Sequence, residues 1–214
     1  MTEPVADVNR ADQGGHIGRF VVIVGPDGVG KTSLAAWLLE AWQGRAGYFH
    51  FITTRRRPLE TWFDPNDQVI PPKPPKTGSR LLGCMRLLRN LPRFWFAYAT
   101  IIRPEIRRGS LIIGDRWAYG YVAQPTGVRF YGPPWLAYAV VRLLPRPDLV
   151  INLTAPAEVI HERKEELSIE EIGAELELWK TVSTPRREDV DASRSPTEIA
   201  HHVLALIEGL DREP

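Results

Sequence analysis

Residues 25–32 combine three glycines with a lysine and a hydroxyl side chain, in the order Gly-Pro-Asp-Gly-Val-Gly-Lys-Thr. This order matches the P-loop pattern, whose glycines let the backbone turn tightly and direct successive N–H groups at phosphate oxygens. The lysine can reach the outer phosphates of a nucleoside triphosphate, and the threonine hydroxyl can ligate Mg²⁺. The predicted phosphate-binding residues are Gly25, Asp27, Gly28, Val29, Gly30, Lys31, Thr32 and Ser33.

The segments on both sides of residues 25–32 support this interpretation over that of an accidental glycine-rich turn. Residues 20–24 form a continuous apolar run rich in β-branched side chains, which is typical of a strand buried on both faces. Residues 32–42 then have a helical pattern. A helix that begins at the loop adds its partial positive charge to the predicted phosphate site.

A second candidate site follows a later apolar strand, which ends in Asp115 and Arg116. If this strand lies in the same sheet, Asp115 is placed beside the P-loop, where it can hold Mg²⁺ directly or through water. Arg116 would then point into the phosphate region and pair with a transferring or accepting phosphoryl group. The alternative is a surface ion pair that closes the strand.

Two interpretations remain open for Arg163 and its neighbours. A flexible basic segment after the fourth predicted strand can close over a triphosphate and exclude water. Residues 162–166 also read as the exposed face of a solvated helix, because charged residues occupy all five positions.

The rest of the chain alternates between strand and helix patterns, which predicts an α/β fold. We expect a five-stranded parallel sheet with helices on both faces, in one domain over residues 19–214. Residues 1–18 are polar and are predicted to be a disordered tail. The predicted strands are residues 20–24, 48–52, 111–113, 149–153 and a short run around Val190 that ends at Asp191. The predicted helices are residues 32–42, 81–108 with a break near Pro92, 134–144, 157–166, 169–180 and 196–210.

Residues 53–80 differ from the rest because they hold six prolines and few periodic apolar positions. They are predicted to be a long loop, and loops of this length in compact domains are usually functional or disordered. Residues 53–93 contain nine Lys or Arg against three Asp or Glu, a local charge of +6. Such a segment suits an anionic small molecule.

Composition excludes several classes of protein. The net charge of +1 over 214 residues gives no overall attraction to nucleic acid. The single cysteine, Cys84, cannot form an internal disulfide, which favours a reducing compartment, the cytoplasm. Residues 87–106 are interrupted by arginines and residues 133–145 are too short to span a bilayer, so both are predicted to be core helices. A bilayer-surface role for the aromatic run 94–96 is the alternative to core packing.

These motifs resemble those of the thymidylate kinase family of P-loop kinases, and the resemblance is scattered over residues 20–210. It rests on the P-loop with Asp27 inside it and on the Asp115-Arg116 pair after its strand. Residues 102–104, 146–149, 155–159 and 191–192 also fit the family's pattern.

The resemblance implies ATP and Mg²⁺ as cofactors, with Lys31 and Thr32 on the donor side and Thr32 and Asp115 as metal ligands. It implies that Arg116 bridges donor and acceptor phosphates, and that Asp27 contacts a hydroxyl of the acceptor. Arg163 would belong to a lid over about residues 162–182, and a homodimer is possible. The catalytic residues would be Lys31, Arg116, Asp115 and Arg163, while residues 191–195, including Asp191 and Ser193, would line the adenine pocket.

The acceptor side departs from the family. Residues 51–58 lack the Arg-Glu-Pro motif that positions the acceptor phosphate, and Phe94 and Phe96 fall near the positions of the family's base-reading arginine and glutamine. Losing such hydrogen-bonding groups should abolish specificity for thymine. A more apolar acceptor pocket, or plain core packing, would use the aromatic residues Phe94, Trp95, Phe96, Trp117 and Tyr121.

Three functions are therefore compatible with the sequence. The first is an ATP-dependent kinase of a nucleoside monophosphate or nucleoside. The second is a kinase of another small acceptor, such as a sugar or a glycan- or lipid-linked hydroxyl. The third is a nucleotide-binding protein that transfers nothing; a GTPase switch is disfavoured, because the chain has no Asn-Lys-x-Asp motif.

Overall fold

The computed structural model describes residues 17–50, 77–163 and 167–210. Five parallel strands form one sheet in the order β2-β3-β1-β4-β5, with helices on both faces. The strands are β1 (Arg19–Val24), β2 (Ala46–His50), β3 (Leu111–Asp115), β4 (Leu149–Thr154) and β5 (Arg187–Asp191). The helices are α1 (Lys31–Ala41), α2 (Arg80–Ala97), α3 (Arg103–Arg107), α4 (Gly120–Ala123), α5 (Pro134–Arg142), α6 (Ala157–Arg163), α7 (Ile169–Lys180) and α8 (Pro196–Gly209), with a π-turn at Tyr98–Ile102 and a 3₁₀ turn at Trp117–Tyr119.

Strand β1 lies at the centre of the sheet because it is apolar on both faces. Phe20, Val22 and Val24 pack into the core on one side of the sheet. Val21 and Ile23 alternate with them and pack into the core on the other side. The predicted α/β fold with a five-stranded parallel sheet is confirmed.

The predicted break near Pro92 is wrong, because α2 continues through this residue. Leu87 and Phe94 on either side of the proline are fully buried, and their packing on the core outweighs the cost of proline in a helix. The helix becomes irregular later, in the π-turn that precedes Pro104. The missing N–H of that second proline is consistent with a widened turn there.

The expectation that residues 87–106 are simply a core helix is also incomplete. One face of α2 is buried, but Leu88, Trp95 and Phe96 are about half exposed, at 51%, 47% and 51%. Within the described ranges, no helix is both long enough and apolar enough to span a membrane.

The predicted tail and basic loop fall mostly outside the described residues, at residues 1–16 and 53–76. Residues 164–166, at the end of the helix predicted over 157–166, also lie outside them. Arg80, placed at the end of that loop, is the first residue of α2, and its helix is capped by the Ser79 hydroxyl, which accepts from Leu82 N–H at 3.3 Å.

Candidate phosphate-transfer site

The P-loop, residues 25–32, connects the end of β1 to the start of α1. Its three glycines have positive φ angles of 136° at Gly25, 86° at Gly28 and 106° at Gly30. A Cβ atom on Gly25 would lie 2.5 Å from the carbonyl oxygen of Leu153, so a side chain there would clash with β4 as well as strain the backbone. Helix α1 begins without a side-chain cap, which leaves its N-terminal end to face the loop. This is the backbone arrangement that favours an anion.

Lys31 lies inside the turn of this loop. Its side chain is 6% exposed, and its Nζ donates to the carbonyl oxygens of Gly25 at 3.0 Å and Pro26 at 2.7 Å. The Asp27 carboxylate lies 3.6 Å from the same nitrogen. A buried ammonium held at the centre of a glycine-rich turn is placed to contact phosphate oxygens that enter the turn.

Asp115 reaches this region because of the strand register. It is paired with Ile23 of β1 on one side and with His50 of β2 on the other. Its Oδ2 accepts a hydrogen bond from the Tyr48 hydroxyl at 3.0 Å and lies 3.0 Å from His50 Nδ1. Burial would raise the pKa of Asp115, but the hydrogen bond from His50 and the charge of Lys31 outweigh it and hold this pKa below its usual value. The carboxyl group is therefore a carboxylate at neutral pH.

The second oxygen of Asp115 gives a test of the predicted Mg²⁺ site. Asp115 Oδ1 is buried, and it has no hydrogen-bond partner among the described residues. The Tyr48 hydroxyl donates to this carboxylate. Burial raises the pKa of Tyr48, and the nearby Thr32 side chain opposes that rise. A free carboxylate oxygen and a nearby hydroxyl are donors that Mg²⁺ accepts, so the residues present fit the ion. The described residues contain no cluster of three His, Cys, Asp or Glu side chains that could hold a metal ion.

Arg116 adopts an unusual backbone conformation at this site. The φ angle is 64° at Arg116 and 46° at Trp117. The backbone N–H of Arg116 donates to the carbonyl oxygen of Ile23 at 2.9 Å. The guanidinium donates to the Asp27 carboxylate through NH2, and its NH1 lies 3.3 Å from Nε2 of His50. Since a guanidinium only donates, His50 accepts at Nε2 and donates at Nδ1 to Asp115. Strain of this kind is concentrated at functional sites, where the surrounding contacts hold the side chain in place.

The structure thus brings together the P-loop, Thr32, Asp115 and Arg116, as predicted, and adds residues that sequence reasoning missed. Tyr48 and His50 were predicted only as part of a strand. The polar His50 at the end of that strand could have indicated a partner for Asp115. Glu175 on α7 was missed, and no sequence pattern pointed to it. Its carboxylate accepts from Gln124 Nε2 at 2.9 Å. Burial raises the pKa of Glu175, and the positive charge of Arg116 partly opposes this rise.

Three other predicted residues lie away from this cluster. Asp191 ends β5, two strands from β1, and its Oδ1 accepts from the N–H and the hydroxyl of Ser193 at 2.9 and 2.5 Å. The Ser193 hydroxyl lowers the pKa of this exposed carboxylate below its usual value. Arg163 is exposed at the end of α6, next to residues outside the described ranges.

The structure decides between the two interpretations of the aromatic residues, and core packing holds for three of the five. Phe94 and Trp117 pack edge to face in the core, with ring centroids 4.6 Å apart, and Tyr121 is buried beside them. Trp95 and Phe96 lie on the other, exposed side of α2. Because a helix turns by about 100° per residue, Phe94 faces the core while Trp95 and Phe96 face outward, so these five rings cannot line one pocket. Tyr121 also borders a cavity of about 360 Å³, which is lined in part by Arg80, Phe130, Tyr131, Tyr138 and Leu178.

We expect Tyr48→Phe to weaken the Mg²⁺ dependence of the site without unfolding it. The substitution removes the hydroxyl that donates to Asp115 Oδ2, and losing a residue that orients a metal ligand typically lowers metal affinity by roughly 10- to 100-fold. Titrating Mg²⁺ into an ATP-binding assay should show this shift, while the control Tyr138→Phe, distant in sequence and on α5, should not. An unchanged Mg²⁺ dependence would show that Tyr48 does not position Asp115.

Comparisons with known proteins give a match in fold. The chain is similar to the structure of thymidylate kinase from Candida albicans, with a TM-score of 0.62 and 21% sequence identity, over 90% of this chain and 92% of that chain. No family model and no curated protein matches the sequence. The thymidylate kinase-like fold that the motifs predicted is therefore confirmed.

Proposed function

We propose that this chain is an ATP- and Mg²⁺-dependent phosphotransferase that transfers the γ-phosphoryl group of ATP to a nucleoside monophosphate or nucleoside. The proposal depends on one observation: the carboxylate of Asp115 and the guanidinium of Arg116 lie beside the P-loop that holds the buried ammonium of Lys31. In phosphoryl transfer the protein mainly positions groups and neutralises charge, and these are the groups required.

The P-loop supports binding of the donor triphosphate. Its amides and the N-terminus of α1 supply donors, and Lys31 exchanges its contacts with the Gly25 and Pro26 carbonyls for phosphate oxygens, which are stronger acceptors. Thr32 and Asp115 would hold Mg²⁺, which neutralises charge on the β- and γ-phosphates when bound. Residues 191–195, with Asp191 and Ser193 in a tight turn, would lie along the adenine, and Arg163 would belong to the segment that closes over the phosphates.

Arg116 is the residue placed to serve both substrates. It follows β3 directly and is paired with Asp27 inside the P-loop, so it lies at the border of the donor site. When a phosphoryl group approaches, the guanidinium can contact it while Asp27 is released to accept from a hydroxyl of the acceptor. Glu175 on α7, which accepts from Gln124, adds a negative charge that attracts the Arg116 guanidinium.

A second candidate function differs only in the acceptor: a sugar or a glycan- or lipid-linked hydroxyl. The residues near the family's base-reading positions favour it, because Phe94 is fully buried and Phe96 has no group that can read a base edge. Arg93, one position away, contacts Asn90 Oδ1 at 3.3 Å.

The proposal is tested in two steps that fail separately. Equilibrium dialysis with labelled ATP should show binding that requires Mg²⁺, and absence of this dependence would contradict the donor site. Incubation with γ-labelled ATP and a panel of nucleosides, nucleoside monophosphates, sugars and glycolipids should then label one class of acceptor. Efficient labelling of thymidylate would rule out the second candidate, whereas Mg²⁺-dependent binding without transfer to any acceptor would indicate an inactive nucleotide-binding protein.

A further inference from the structure

The cavity of about 360 Å³ lies among α2, α4, α5 and α7, and its walls are mostly aromatic. We define the aromatic cavity by five of the residues that line it: Tyr121, Phe130, Tyr131, Tyr138 and Leu178. Two walls are fixed by packing, because Tyr121 and Phe130 are 1% and 3% exposed and meet edge to face with ring centroids 6.0 Å apart. The Tyr121 hydroxyl also accepts from Asn90 Nδ2 at 2.7 Å. A preformed cavity of this size and lining suits a small molecule that carries a ring.

The hydrogen-bonded pair of Gln124 and Glu175 connects the aromatic cavity to the phosphate-transfer site. Gln124 is 7% exposed, and its Nε2 donates to Glu175 Oε2 at 2.9 Å. On the side of the cavity, Pro125 follows Gln124 directly, Leu178 lies one turn after Glu175 on α7, and both residues line the cavity. On the other side, the charge of Glu175 acts on both cations of the transfer site. A ligand in the cavity can therefore present one end to the Glu175 carboxylate.

Three carboxylates act on these two cations in the described part of the chain. Asp27 forms ion pairs with both Lys31 and Arg116, Asp115 acts on Lys31, and Glu175 acts on both. These side chains already carry a net negative charge, and ATP is itself an anion. A phosphate acceptor would bring a further negative charge toward Glu175, whereas a neutral hydroxyl would meet a carboxylate that can take its proton.

We infer that the acceptor is a neutral alcohol that carries a planar ring, the class to which nucleosides belong, and that Glu175 is the catalytic residue that takes the proton of its hydroxyl. The inference rests on the proposed function and selects one kind of acceptor within it. The ring would occupy the aromatic cavity, and the hydroxyl oxygen would attack the γ-phosphorus of ATP. The bond from this phosphorus to the β–γ bridging oxygen breaks, ADP leaves with the electron pair, and the hydroxyl proton passes to Glu175 Oε1. The products are a phosphomonoester and ADP, and Glu175 then releases the proton to water.

Matched acceptors test this inference with the full chain and γ-labelled ATP, each nucleoside being compared with its own monophosphate. We expect kcat/KM to be at least roughly 100-fold higher for a nucleoside, because like charges brought together discriminate strongly against a partner. Phosphorus NMR should identify the product as a phosphomonoester and not as a diphosphate. Preference for the monophosphate, or transfer to a sugar as efficient as to any nucleoside, would overturn the inference and leave the proposed phosphotransferase intact. Mg²⁺-dependent ATP binding without transfer to any acceptor would remove both.

Glu175→Gln keeps the size of the side chain and removes the proton acceptor. A general base typically contributes roughly 100- to 10,000-fold, so we expect a loss of transfer in this range, with Mg²⁺-dependent ATP binding and the thermal melt unchanged. The matched control is Glu177→Gln, at an exposed residue of the same helix, which should keep the wild-type rate. Equal losses in the two variants, or a wild-type rate in Glu175→Gln, would overturn the inference.

The pH profile distinguishes a proton acceptor from a residue that only supports the fold. The groups that face Glu175 are Gln124 after α4, Lys31 on α1, Arg116 after β3 and Glu171 on α7 itself. Burial raises the pKa of Glu175, and only the deprotonated carboxylate can take the proton. In the wild type, kcat/KM for the acceptor should therefore rise with pH above the usual range of a carboxylate. Glu175→Gln should lose this rise, and a rise that persists unchanged would overturn the inference.

Leu178→Trp tests the aromatic cavity separately, because Leu178 lines it and is 38% exposed, so that a larger side chain can enter without disturbing the core. We expect KM for the acceptor to rise by roughly tenfold or more, with KM for ATP unchanged. Leu143→Trp makes the same change at a residue that is 62% exposed after α5, and it should leave both values unchanged. An unchanged acceptor KM in Leu178→Trp would place the acceptor elsewhere and overturn the inference.

Discussion

Lys31→Ala is expected to lower the rate of phosphoryl transfer by roughly 100- to 1,000-fold, the usual loss when one preorganised charge-stabilising donor is removed. The ammonium is the cation inside the P-loop, where it is 6% exposed and shares the turn with the Gly25 and Pro26 carbonyls. In so buried a position its attraction for phosphate is screened far less than at the surface. Initial rates with γ-labelled ATP and the acceptor identified by the panel measure this loss.

The fold should survive this substitution. The two carbonyl oxygens that lose the Nζ donor lie in the phosphate-binding loop rather than in the sheet, so we expect only a small change in the melting temperature. Lys180→Ala is the matched control, since Lys180 is exposed on α7 and pairs with Glu177 in the adjacent turn. A Lys31→Ala protein that transfers phosphate at the wild-type rate would show that the loop does not hold the reacting phosphates.

The P-loop was predictable because its residues follow one another directly in the sequence. Backbone amides can surround phosphates only where glycines permit positive φ angles, and Gly25, Gly28 and Gly30 have them. The position of Asp115 followed from a simple rule, because parallel strands place their carboxyl ends at one edge of the sheet. Its partner Ile23 in β1 lies just before the P-loop.

The partners of Asp115 and Arg116 were not predictable in the same way, because they depend on strand order and on helix docking. His50 meets both residues only because β2 lies beside β3 rather than beside β1. Glu175 comes from α7, some sixty residues away in the chain, and no local pattern connects it to Arg116.

The wrong break near Pro92 and the separation of the aromatic residues share one physical cause, which is that tertiary packing outweighs local preference. Proline is a helix breaker in isolation, yet Leu87 and Phe94 are held in the core on both sides of Pro92. Aromatic residues adjacent in sequence suggested one pocket, but a helix turns by about 100° per residue, so Phe94 and Trp95 lie on different faces. The packing of α2 on the sheet determines which face of the helix is buried, and the aromatic run at residues 94–96 does not determine it.

Arg116→Ala is expected to lower the rate of transfer by roughly 100-fold or more, with little effect on Mg²⁺-dependent ATP binding. In the proposed reaction Arg116 lies between donor and acceptor, so its charge matters most when negative charge spreads over the phosphoryl group in transit. Binding and transfer should therefore separate in this variant, whereas Lys31→Ala should weaken both. Rates at saturating ATP, together with equilibrium dialysis, distinguish the two losses.

Arg116→Lys shows whether charge alone is sufficient. The guanidinium contacts Asp27 and His50 through two different nitrogens, and a lysine ammonium cannot reproduce that planar fork. We expect Arg116→Lys to recover only a small part of the rate lost in Arg116→Ala, while Arg107→Ala, an exposed arginine at the end of α3, stays at the wild-type rate. Full recovery by lysine would reduce the role of Arg116 to a point charge, and a wild-type rate in Arg116→Ala would exclude it from the reaction. In that last case the strained φ of 64° at position 116, which alanine tolerates no better than arginine, would have a structural role and no role in the reaction.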